Sequence, residues 1–152
     1  STPLYSSAAS DVYKRQALQW FVSPEQFFKR CNALLSGHGY FAFSTFGKEN
    51  LKEIAAVTGS GLHYYSLEEL KKSLSMHYNI VTAGEERIRL TFATPLDVLY
   101  HLKHTGVTAV CRQAWTKGDL QEFCDKYAKL FSCGNAVTLT YHPLYIIARK
   151  KP

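Results

Sequence analysis

The chain has no C-x-x-C pair and no cysteine with a histidine at zinc-finger spacing. Its four cysteines, Cys31, Cys111, Cys124 and Cys133, stand far apart. This excludes the common structural zinc sites and a thioredoxin-like redox pair, so no metal is expected, and the thiols read as reduced, mostly buried groups of a cytoplasmic protein. Nor is there an apolar run approaching the ~18 residues of a membrane span, or a charged-then-apolar leader pattern. No membrane association is expected. Lys and Arg outnumber Asp and Glu by 18 to 12, yet no five of them stand in a row. The scattered charge of +6 allows a carboxylate substrate or an acidic protein partner, and it lacks the contiguous basic stripe that points to nucleic acid. No internal repeat is visible. With 46% hydrophobic and 14% aromatic residues in 152, the chain does have ample material for a core.

Residues 1–16, STPLYSSAASDVYKRQ, are rich in Ser and Ala and carry no sustained apolar period. They meet an abruptly apolar segment at Ala17. The string SSAASDVYKRQ is similar to translated sequencing-adapter read-through at the ends of open reading frames in assembled environmental DNA. Residues 1–16 are therefore expected to be a non-native or disordered tail that adds nothing to fold or activity. Residues 17–152 would then be the C-terminal part of a longer domain.

From Ser23 onward the elements are legible. Ser23, Pro24 and Gln26 form a helix start with a capping box, Phe27, Phe28, Cys31, Leu34 and Leu35 follow at helical spacing, and Gly37 ends the helix. Tyr40 to Phe46, YFAFSTF, is a short apolar run between glycines, the pattern of a strand buried on both faces of a parallel sheet with helices packed on it. Helices are predicted at residues 49–58 and 66–75, the second with a Ser66/Glu69 capping box. Asn79 to Phe92 reads as a strand interrupted near Ala83-Gly84. Thr94-Pro95 opens a helix with Leu96, Leu99 and Leu102 inward, ending at Gly106, and residues 116–131 form another with Leu120, Phe123, Tyr127 and Leu130 as its stripe. Val137 to Lys150 is a long final strand, bulged near Pro143 and pairing antiparallel with Ile88 to Phe92.

Six segments taken in order carry a resemblance: ALQW (17–20), YFAFSTFG (40–47), YYSLEEL (64–70), LTFATPLDVLYHLKHTGVTA (90–109), WTKGDLQEF (115–123) and VTLTYHPLYIIARK (137–150). Together they cover nearly nine tenths of the chain and resemble the malonyl-acyl-carrier-protein O-methyltransferases of biotin synthesis, with LKHTGVT and TYHPLYIIA the most specific. The resemblance implies an α/β chain: the C-terminal half of a Rossmann-like S-adenosylmethionine-dependent methyltransferase fold, with a helical insertion around residues 95–117. It also implies methyl transfer from S-adenosylmethionine to the free carboxylate of a malonyl group on acyl carrier protein.

In such folds the ligand lies across the carboxyl ends of the strands. By resemblance, Gln19 and Trp20 line the transferring methyl and Ser44, Thr45 and Phe46 face the acceptor. Tyr64, ahead of Tyr65, is a candidate wall of the acyl pocket, and His142 is either turned toward it by a bulge at Pro143 or a satisfied structural histidine. Lys103, His104, Arg112 and Lys117 would present positive charge to the acidic carrier. No catalytic acid or base is identified. The family's glycine-rich cofactor loop and ribose-binding acid lie upstream of ALQW. Gly37-His38-Gly39 precedes a strand instead of leading from a strand into a helix, so it cannot present helix N-terminal amides to a ligand. The main cofactor-binding loop is thus expected to be absent from this chain.

Two alternatives remain. A methyltransferase for a phenol, quinone or amine would need a general base that a carboxylate acceptor does not. A non-catalytic basic module holding RNA would need exposed aromatics on one positive face.

Overall fold

The computed structural model describes residues 23–107 and 114–152. Expectations for residues 1–22, including the tail and the ALQW segment, lie outside the described residues, as do those for 108–113. In chain order the elements are α1 (Pro24–Leu34), β1 (Tyr40–Phe46), α2 (Lys52–Thr58), α3 (Leu67–Leu74), β2 (Tyr78–Glu85) and β3 (Ile88–Phe92). They continue with α4 (Pro95–His104), α5 (Lys117–Phe131), β4 (Ser132–Cys133), β5 (Ala136–Tyr141) and β6 (Pro143–Lys150). They fall into two compact units.

The first unit holds residues 23–48, 63–86 and 142–152. Its sheet has the order β1-β6-β2, with both pairs antiparallel, so β1 and β2 run the same way on either side of β6. Strand alternation sends Phe41, Leu144, Ile146 and Ala148 to one face. There they meet Phe27, Phe28, Cys31 and Leu35 from α1 and its C-cap, and Leu70 and Leu74 from α3. Phe28, Phe41 and Tyr78 sit ring against ring, with centroids 6.0 Å and 5.5 Å apart for successive pairs. The Tyr78 hydroxyl, buried with the ring, donates to the Phe28 carbonyl at 2.9 Å, and burial pushes its pKa well up.

Several expectations are corrected here. Among the described residues β1 pairs with the antiparallel β6, since an apolar run records burial and carries no information on the direction of a neighbouring strand. Tyr40, Ala42 and Ser44 are exposed, so β1 is buried on one face only among the described residues. Ser23 does cap α1, accepting from the Gln26 N–H, but α1 ends at Leu34 with Leu35 as its C-cap, and not at Gly37. Its last carbonyls, of Asn32 and Leu35, accept from the Lys150 ammonium at 2.8 and 2.9 Å. Leu34 faces out. The left-handed residue of that turn is His38. The strand expected across residues 79–92 breaks at Glu86-Arg87, while Gly84 continues β2 beneath the Tyr145 ring.

The second unit holds residues 49–62 and 87–141, apart from 108–113. Its sheet has the order β3-β5-β4, antiparallel throughout. β5 pairs with β3 from Ile88 opposite Tyr141 to Phe92 opposite Val137, as the polarity patterns predict. The remainder of the expected final strand is the separate β6, which pairs with β1 and β2. The break falls at His142, and the irregular register lies in β2 between Ile80 and Thr82. Thr94 and Thr116 each form a capping box with the Asp three residues on, and Gly106 follows α4 with a left-handed φ of 79°. Val98, Leu99 and Leu102 of α4 pack with Phe123 and Tyr127 of α5 and with Val137 and Leu139 of β5. Leu96 and Leu130, expected inward, are exposed. Val98, four residues before Leu102, and Phe131, four after Tyr127, join the stripes instead. No helix among the described residues is long and apolar enough to cross a membrane.

Candidate functional site

The carboxyl ends of β1 and β2 and the start of β6 come together at one edge of the first unit's sheet. This edge carries most of the described candidate residues. Ser44 and Thr45 are adjacent in a strand and so point to opposite faces. Ser44 lies exposed, paired across the strands with Tyr145. Thr45 is buried at 5% exposure on the helix-covered face, and Phe46, at the strand end, is half-buried.

Beyond Phe46 the chain is fixed by two contacts. The Gly47 N–H donates to the His142 carbonyl at 2.7 Å. The Lys48 ammonium reaches the Glu69 carboxylate at 3.2 Å. Glu69 in turn accepts the Ser66 backbone N–H at 2.7 Å, and the Ser66 hydroxyl accepts the Glu69 N–H at 3.1 Å. The Ser66 backbone N–H, followed by the Lys48 ammonium, holds the Glu69 carboxyl below its ordinary range. The capping box read in the sequence is thus present, and it ties the end of β1 to the start of α3. Tyr64 and Tyr65 immediately precede that start. Tyr64 is half-buried, and Tyr65 packs on the core with its ring edge-on to His63 at 4.9 Å.

His142 is buried at 4% exposure, and its Nε2 lies 2.7 Å from the Glu85 carboxylate. Sequence reasoning missed Glu85. Nothing near Gly84-Glu85 marks a carboxylate whose partner stands 57 residues away.

The carrier-facing candidates lie in the second unit. Lys103 and His104 close α4 and Lys117 opens α5, all three exposed. Arg112, Gln19 and Trp20 lie outside the described residues. Another buried polar centre of that unit was not anticipated. Glu53 of α2 accepts from the Thr140 N–H at 2.9 Å and the Thr140 hydroxyl at 2.6 Å. The Tyr127 hydroxyl donates to the Thr138 carbonyl, and burial with the nearby Glu53 charge pushes the Tyr127 pKa up. The sequence signal for Glu53 is its position four residues before Val57, on the buried face of α2. The described residues contain no group of three or more His, Cys, Asp or Glu able to hold a metal.

The architecture is shared with known proteins. A Bacillus halodurans protein of solved structure, described provisionally as a methyltransferase, superposes with a TM-score of 0.61 over 94% of this chain and 70% of its own, at 15% identity. The chain thus has the mixed α/β fold of the C-terminal half of a Rossmann-like methyltransferase.

Sequence similarity is narrower. The malonyl-[acyl-carrier protein] O-methyltransferase of Bacteroides thetaiotaomicron is 56% identical over 145 residues, 89% of this chain and 56% of that protein. The protein of the same name from Bacteroides helcogenes is 53% identical over 137 residues, 88% of this chain and 50% of its own. The chain belongs to the malonyl-[acyl-carrier protein] O-methyltransferase family and spans about half the length of the curated relatives it matches. No family model matches it.

Proposed function

We propose that the full-length enzyme containing this segment methylates the free carboxylate of a malonyl thioester on acyl carrier protein, in the cytoplasm, as an early step of biotin synthesis. The observation that carries this reading is the identity of more than half the residues to a protein of that name across nearly nine tenths of the chain. S-adenosylmethionine supplies an electrophilic methyl on a sulfonium centre. The malonyl carboxylate is ionised at neutral pH and needs no base. The chain's own residues therefore have to orient the acceptor and exclude water.

The exposed Ser44 and the half-buried Phe46 and Tyr64 face the acceptor, and the buried Thr45 and His142 support that surface from beneath. Gln19 and Trp20 line the methyl group. Lys103, His104, Arg112 and Lys117 meet the acidic carrier. The glycine-rich loop that grips the cofactor is supplied by sequence outside this chain, so the 152 residues alone hold S-adenosylmethionine weakly.

The test is methyl transfer by the full-length enzyme from labelled S-adenosylmethionine to malonyl carrier, followed by mild base. An ester releases the label as methanol. A base-stable product would indicate an ether or amine acceptor and overturn the reading.

A further inference from the structure

We infer that His142 is a positioning residue: its imidazole, gripped by Glu85 and packed under Gly47, fixes the end of β1 from which the acceptor-facing side chains project. The inference deepens the methyl-transfer reading and rests on it. A buried imidazole is costly unless its ring nitrogens are satisfied, and Nε2 meets the Glu85 carboxylate at 2.7 Å. Glu85 is the last residue of β2, so this contact ties β2 to the start of β6. The main chain of the same residue ties β6 to β1, because the His142 carbonyl accepts the Gly47 N–H at 2.7 Å. One residue therefore joins three strand ends.

The ring also explains the glycine. A Cβ on residue 47 would stand 2.5 Å from both Cε1 and Nδ1 of His142. Gly47 is not among the residues with positive φ, so glycine is needed here for space, not for backbone conformation. The imidazole occupies the volume that a side chain at position 47 would fill, and the Gly47 backbone lies against it. Lys48 pairs with Glu69, and the Glu86 N–H donates to the Pro143 carbonyl at 3.0 Å. Acting through Gly47, His142 sets where Ser44 and Phe46 stand, and a displacement of about an ångström at such a surface costs up to roughly a hundredfold in rate.

The experiment measures KM and kcat for malonyl carrier and the Kd of S-adenosylmethionine in the full-length enzyme and four variants. Gly47→Ala and Glu85→Ala should each raise the acceptor KM by roughly tenfold or more, with the S-adenosylmethionine Kd unchanged. Glu85→Gln, which keeps an oxygen for the imidazole, should recover most of the loss seen in Glu85→Ala. The double variant Gly47→Ala/His142→Ala should outperform Gly47→Ala alone, because removing the ring makes room for the new methyl. If Gly47→Ala keeps a wild-type KM, or if the double variant does not outperform Gly47→Ala alone, the positioning role is wrong. If Gly47→Ala does not fold, the Glu85 pair decides: equal KM values for the Ala and Gln variants overturn the proposal. Should the wild-type enzyme methylate some other acceptor, the methyl-ester reading fails, and the same KM comparison on that acceptor still decides the role of His142.

Discussion

Glu53, in the first turn of α2, takes the backbone N–H of Thr140 at 2.9 Å while the Leu51 N–H donates to the Thr140 carbonyl at 2.8 Å. β4 covers only the first two residues of β5 on this side. The start of α2 therefore satisfies the strand edge that β4 leaves open, and a buried carboxylate substitutes for a missing strand. Glu53→Ala leaves the Thr140 N–H and hydroxyl without their acceptor and should destabilise the protein by roughly 2 to 4 kcal/mol. Glu53→Gln, which keeps one oxygen, should cost less. Denaturant midpoints of the two variants check both values. Equal midpoints for wild type and Glu53→Ala would show that the edge is satisfied in another way.

The capping carboxylates should show in titration. Asp119 is held below its ordinary value of 3.8, chiefly by accepting the Thr116 N–H, and Glu69 below 4.5 by the Ser66 N–H and then Lys48. A carboxyl whose pKa is lower folded than unfolded adds stability above the unfolded value and loses it as pH falls through the folded one. The caps of α5 and α3 should thus stay formed at mildly acidic pH and loosen only as pH falls below the ordinary carboxyl values of 3.8 and 4.5. NMR titration of the two side-chain carboxyl carbons should give midpoints below 3.8 and 4.5. A midpoint at or above either value would contradict the corresponding cap.

Thiol reactivity should follow burial. Cys133 is exposed, Cys31 is buried, and burial raises the pKa of the Cys124 thiol. Under limiting iodoacetamide at neutral pH, peptide mass spectrometry should find Cys133 modified well before Cys31 and Cys124. Modification of Cys31 first would mean that the packing of α1 on its sheet is wrong.

Much of the fold was legible because its signals are local. The Ser66/Glu69 box, the Tyr40–Phe46 strand and the Gly106 stop rest on residues a few positions apart, and the structure holds all three. Local patterns do not carry strand direction or the partner of a buried polar group. The antiparallel pairing of β1 with β6 is therefore not legible in the apolar run, and neither are Glu53 and Glu85, each of which bonds a residue more than fifty positions away. Gly84 and Gly37 misled for a related reason. Gly84 gives room to the Tyr145 ring rather than breaking a strand, and the end of α1 is held by Lys150 rather than by Gly37. Within the candidate site, the strand and its residues were legible, but the split of Ser44 from Thr45 onto opposite faces needed the sheet.

The aromatic core of the first unit should be intolerant of truncation. Phe41 is 1% exposed and lies within 6.2 Å of the Phe27, Phe28, Phe43 and Tyr78 ring centroids. Phe41→Ala should cost about 3 to 5 kcal/mol, read as a fall in denaturant midpoint, whereas Tyr40→Ala on the exposed face should change it little. A comparable loss from both would show that the two faces of β1 have been confused.

The most direct test of the account is the intact mass of malonyl carrier protein after incubation with the full-length enzyme and S-adenosylmethionine. The account predicts a gain of one methyl in place of a hydrogen, located on the malonyl group, and no gain on carrier bearing an acetyl group, which has no free carboxylate. Methylation of both carriers, or of neither, would contradict it.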